Sequence, residues 1–101
     1  MPLRLGDERP RLQRAYAHQG RQVKTDVFTG TWLGRPGTSR THRLQSRNTG
    51  LRVIEHQWAD EPTVTVRVVI GDGRYPSTFA EYLKVEDVEP GQGLALAHSL
   101  A

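Results

Sequence analysis

The spacing of apolar residues changes once along this chain, near residue 22. Before that point Leu12, Ala15, Tyr16 and Gln19 recur at i, i+3, i+4 and i+7, the period of one helical face. Asp7 is a suitable N-cap, Pro10 falls in the first turn and Gly20 follows as a stop, so a short helix is expected over residues 7–20. Its stripe is narrow, which puts Arg11, Arg14 and His18 toward water. From Gln22 the period is two. Val23, Thr25, Val27, Thr29 and Thr31 alternate with Lys24, Asp26, Phe28, Gly30 and Trp32, which predicts a first strand. Residues 34–43 gather Gly, Pro, Ser, Thr and Arg without apolar periodicity and read as an exposed loop.

Further on, residues 42–46 can form a second strand that turns through 47–50 into a third at 51–58, with Asn48 and Gly50 able to take positive φ. Residues 63–70 are the clearest strand, with Val64, Val66, Val68 and Ile70 on one face and Thr65 and Arg67 on the other. Gly71-Asp72-Gly73 closes a tight turn, and residues 74–79 return antiparallel, kept short or at an edge by Pro76. Phe79, Tyr82, Leu83, Val85 and Val88 suit a strand ending in a turn of helix. Residues 90–101 read as a loose tail.

Four to six short strands predict a mainly β fold, a small antiparallel barrel or sandwich. The strand, Asp-Gly turn, strand and terminal Tyr-Leu-Lys-Val-Glu-Asp-Val over residues 63–89 resemble the closing end of an SH3-like barrel. The chain then divides into a basic arm and helix at 1–21, a β-barrel domain at 22–89 and a tail at 90–101. Val27, Leu44, Val53, Val64, Val66, Val68, Ile70, Phe79 and Leu83 are the expected core.

Composition sharpens this picture. With no cysteine, neither disulfides nor thiolate metal sites contribute. No apolar run reaches the length of a membrane span and the first residues do not read as a signal peptide, so a cytoplasmic setting without membrane contact is expected. Net charge is +3, but it is divided: through Arg52 eleven Lys and Arg face three carboxylates, giving +8, and after it three face eight, giving −5. Such asymmetry points to an anionic partner, or to contact between oppositely charged parts of neighbouring copies. Arg exceeds Lys twelve to two, and its planar fork suits phosphate and carboxylate, although a GC-rich genome produces the same excess.

The candidate site is therefore the basic stretch Arg35, Arg40, Arg43, Arg47 and Arg52 with Trp32 beside it, extended by Arg11 and Arg14 of the expected helix and Arg21 just after it. Arginines near an exposed aromatic can hold phosphates and stack a base, which predicts a non-enzymatic nucleic-acid-binding module. A solvated basic face with a core tryptophan is the bland alternative. A second alternative is an assembly protein, such as a phage head or tail component, that forms a homo-oligomer or joins a larger particle through its charged halves. Other chemistry is poorly supported. Gly71-Asp72-Gly73 lacks the third glycine and following helix of a phosphate loop, and His18, His42, His56 and His98 lack zinc-ligand spacing. Glu81, Glu86, Asp87 and Glu89 lack the pattern of a calcium loop. Asp26, Ser39 and His42 carry triad residue types without a nucleophile elbow. No catalytic residue, metal or cofactor is expected.

Overall fold

Period-two alternation sorts side chains onto the two faces of a sheet, and here both faces belong to one sheet. The structure is a computed structural model that describes residues 23–45, 50–71, 75 and 78–100. Strands β1 (Lys24–Trp32), β2 (Arg35–Gln45), β3 (Gly50–Trp58), β4 (Val64–Gly71) and β5 (Ala80–Val88) pair antiparallel in chain order, and a helix α1 (Gln92–Leu100) follows. Among the described residues the sheet is open, with β1 and β5 as its edges. Among the described residues the expected barrel or sandwich is thus corrected to a five-stranded meander backed by one helix. The helix expected over residues 7–20 lies outside the described residues.

The stretch expected to be an exposed loop is most of β2. Leu33 and Gly34, with φ of 54° and 79°, form a two-residue turn of the kind whose twist matches a hairpin. Residues then pair without interruption from Trp32↔Arg35 to Lys24↔Arg43. Apolar periodicity could not announce this strand, because over 35–43 it carries no large apolar side chain. Backbone ladders to β1 and β3 hold it instead.

One face of the sheet is core. Leu44, Leu51, Val53, Val64, Val66, Val68 and Val88 pack there against Leu96, Ala97 and Leu100 of α1, with Ile70, Leu83 and Val85 half-buried at the margin. Val27, expected in this core, is 61% exposed. It lies on the edge strand, whereas α1 packs mainly against β3 and β2. The return strand also begins later than the spacing predicts, at Ala80. Gly71 passes so close to the returning chain that a Cβ there would lie 2.7 Å from the Phe79 Cα, an approach only glycine permits.

The segment expected to be a loose tail is α1. Gly91, with φ of 93°, turns the chain after Pro90, and Gly93, Leu96, Ala97 and Leu100 are the buried stripe at i, i+3, i+4 and i+7. Glu55, a charged residue only 2% exposed, fixes the start of the helix. Its Oε1 accepts from the Gly93 N–H at 2.9 Å, and both carboxylate oxygens accept from the Gly91 N–H at 3.2 Å. A carboxylate at this end satisfies amides that have no intrahelical partner and sits at the positive end of the helix dipole.

Among the described residues His42 is the other buried polar residue, 2% exposed. Its Nδ1 lies 2.8 Å from the Thr25 hydroxyl, while Nε2 is buried without a hydrogen-bond partner. Burial holds its pKa below the ordinary value; Arg40 and His98 act in the same direction, against Glu55. The folded state therefore binds fewer protons than the unfolded chain. The associated stability is present above the unfolded pKa of about 6.5 and is lost as pH falls through that value toward the lower folded pKa. The expected result is a melting temperature that drops steadily on acidification below neutrality. A melting temperature that holds or rises over that window contradicts this assignment.

Candidate functional site

The face of the sheet away from α1 carries the residues left over from the core pattern. Because Val64, Val66 and Val68 point inward, Thr65 and Arg67 must point outward; the same phase puts Ile54, His56 and Trp58 of β3 on the outer face. Pairing register brings Ser39 opposite His56 and Lys84 opposite Arg67. Together with Trp32 and Glu86 these side chains line a concavity of about 370 Å³.

Its aromatic wall is an edge-to-face cluster. The His56 ring is 4.7 Å from Trp32 and 4.5 Å from Trp58, the two indoles are 6.2 Å apart, and Phe28 meets Trp32 at 5.6 Å. Interplanar angles of 79° to 88° set ring edges against ring faces, the favoured arrangement of aromatic quadrupoles. Gly37 makes room for it. A Cβ there would lie 3.1 Å from His56 Nε2 and 3.0 Å from the Gln57 carbonyl. Burial, then the charges of Arg67 and Arg35, push the His56 pKa down, so at neutral pH this wall is uncharged.

Cations surround the wall. Arg35 covers the Trp58 ring at 4.5 Å while pairing with Asp60 at 3.0 Å and Glu61 at 2.9 Å, contacts that raise its already high pKa. Arg67 reaches Glu81 at 3.5 Å and Lys84 reaches Glu86 at 3.5 Å, loose pairs that an incoming anion can displace. At the other end of the strands Arg43 and Arg52 stand opposite each other. Arg43 is paired with Asp26 at 2.9 Å, and the Arg52 guanidinium lies 4.4 Å from the centre of the Phe79 ring.

The candidate residues thus divide. Trp32, Arg35, Arg43 and Arg52 share the open face, whereas Arg40 lies in the phase of His42 and Leu44, on the helix side of β2. Arg11, Arg14, Arg21 and Arg47 lie outside the described residues. Searches of family models, curated proteins and solved structures find nothing that matches this chain. His56, Trp58, Arg67 and Lys84 were not singled out from the sequence. Their signal was the strand phase itself: once the valines of β4 are assigned inward, register places these four together. Among the described residues no helix is long and apolar enough to cross a membrane.

Proposed function

We propose that this chain is a non-enzymatic module that binds nucleic acid, with the open face of the sheet as its platform. The observation that carries the reading is that one concave face holds both an uncharged aromatic wall (Trp32, His56, Trp58) and cations (Arg67, Lys84), with Arg52 further along the same face. Aromatic rings offer stacking partners to bases, and guanidinium and ammonium groups offer charge to phosphates. In a duplex the base faces are stacked on one another and closed to such a wall, so the chemistry favours single strands.

This reading shifts weight from charge toward stacking. Arg35 and Arg43, central to the basic stretch, are answered by Asp26, Asp60 and Glu61, and surface pairs of this kind leave little net field. Intrinsic tryptophan fluorescence tests the platform, since Trp32 and Trp58 are the chain's two tryptophans. Single-stranded oligonucleotide is expected to quench it, and Trp32→Ala to weaken binding by about 1–3 kcal/mol, the worth of one stacked base. Binding that leaves both indoles unperturbed rejects this face.

A further inference from the structure

We propose that β1 is a docking edge for a second copy of this chain, the two β1 strands pairing antiparallel about Phe28. The two edges of the sheet differ in kind. β5 has the features that natural proteins use to prevent edge-to-edge pairing: two register shifts against β4, a left-handed Asp87 with φ of 57°, and the charges of Glu81, Lys84, Glu86 and Asp87. β1 has none of them over most of its length. It pairs with β2 through nine consecutive residues without a register shift, and its only charged residues, Lys24 and Asp26, stand at its beginning. Val27 and Phe28 point to opposite faces and are 61% and 63% exposed, so a neighbouring strand would cover apolar surface on both sides of the sheet.

The sequence of β1 also fits its own reversed copy. With Phe28 opposite Phe28, the pairs that follow are Val27 with Thr29, Asp26 with Gly30, Thr25 with Thr31 and Lys24 with Trp32. All nine residues are used. Aromatic and β-branched residues meet their like, Lys24 meets an indole face suited to a cation, and no like charges oppose. Moving the centre one residue toward Val27 sets the Asp26 carboxylate against Phe28, so the Phe28 register is favoured. A twofold axis normal to the sheet relates two strands paired in this way. The result is a ten-stranded sheet with both helices on one side and both open faces on the other.

The test is made on the full chain without nucleic acid, so its outcome is independent of the reading above. Light scattering from micromolar to millimolar concentration is expected to show a dimer of the 11.4 kDa chain. Phe28→Lys should give a monomer with the far-ultraviolet circular dichroism of the parent. Because the chain has no cysteine, Phe28→Cys should oxidise cleanly to a covalent dimer of unchanged secondary structure, which keeps the test decisive should the lysine variant fail to fold. A monomer at every concentration, a dimer that persists in folded Phe28→Lys, or a Phe28→Cys variant that stays monomeric on oxidation overturns the proposal.

Discussion

Ending the chain after Glu89, and so removing α1, is expected to abolish cooperative folding. Leu96 and Leu100 are 8% and 5% exposed and Ala97 is fully buried; burying each leucine contributes about 1.5–3 kcal/mol. The loss does not end there, because Leu44, Leu51 and Val53 beneath the helix become exposed at the same time. Domains of this size have about 5–15 kcal/mol of net stability, so the combined loss consumes most or all of it. Urea unfolding followed by circular dichroism reads the result. The truncated chain should show no sigmoidal transition, or should aggregate through its uncovered sheet face. A truncated chain with a transition close to the parent's would mean that α1 is an accessory of the fold.

Replacing Glu55 by alanine is expected to cost about 3 kcal/mol, at the level of a broken buried polar contact. The substitution leaves the Gly91 and Gly93 N–H groups without their acceptor at the start of α1, and it empties the space beside Gly93. Glu55→Gln separates the two contributions. The amide retains one acceptor oxygen and loses the charge, so its cost should be about 1 kcal/mol, the worth of the favourable interaction with the helix dipole. Equal costs for the two variants would show that charge alone matters; no cost for either would show that the helix needs no cap. The same contact predicts an inversion at Gly93. Alanine in a helix is ordinarily about 1 kcal/mol better than glycine, but here its methyl would lie 2.8 Å from Glu55 Oε1 and 3.1 Å from Glu55 Cβ.

What was legible in the chain follows the same physics. The strands β3 and β4 could be read because half their residues are apolar and regularly placed, and Leu51, Val53, Val64, Val66 and Val68 are buried. β2 was illegible from residue 35 to 41 because Gly, Thr, Ser, Pro and Arg carry turn statistics, while its two neighbours and a two-residue turn decide its conformation. The helix α1 was missed for a related reason. Its buried stripe includes Gly93 and Ala97, small residues whose contribution is close approach instead of bulk, and its cap, Glu55, lies 36 residues before Gly91 in the chain. Val27 failed as a core residue because alternation shows which face a side chain takes and not whether anything covers that face.

The candidate site divides the same way. Trp32 and the basic residues near it could be found by composition, and four of them do share a face. That Arg40 points to the other side, and that Asp60 and Glu61 neutralise Arg35, are matters of register and loop geometry. Arg67 and Lys84 belong to the half of the chain whose net charge is negative, so a reading by charge passed over them, yet pairing across β4 and β5 sets them side by side at the concavity.

The central claim, that the open face holds nucleic acid through stacking and a few phosphate contacts, is tested most directly by the salt dependence of binding to a labelled single-stranded oligonucleotide. Each phosphate engaged on a single strand contributes about −0.7 to the slope of log affinity against log salt. The parent chain should bind at low salt, more tightly to the single strand than to its duplex, and replacing Arg67 and Lys84 together by glutamine should make the slope shallower by about 1.4, two phosphates' worth. No binding at low salt, or a slope that the double substitution leaves unchanged, contradicts the account.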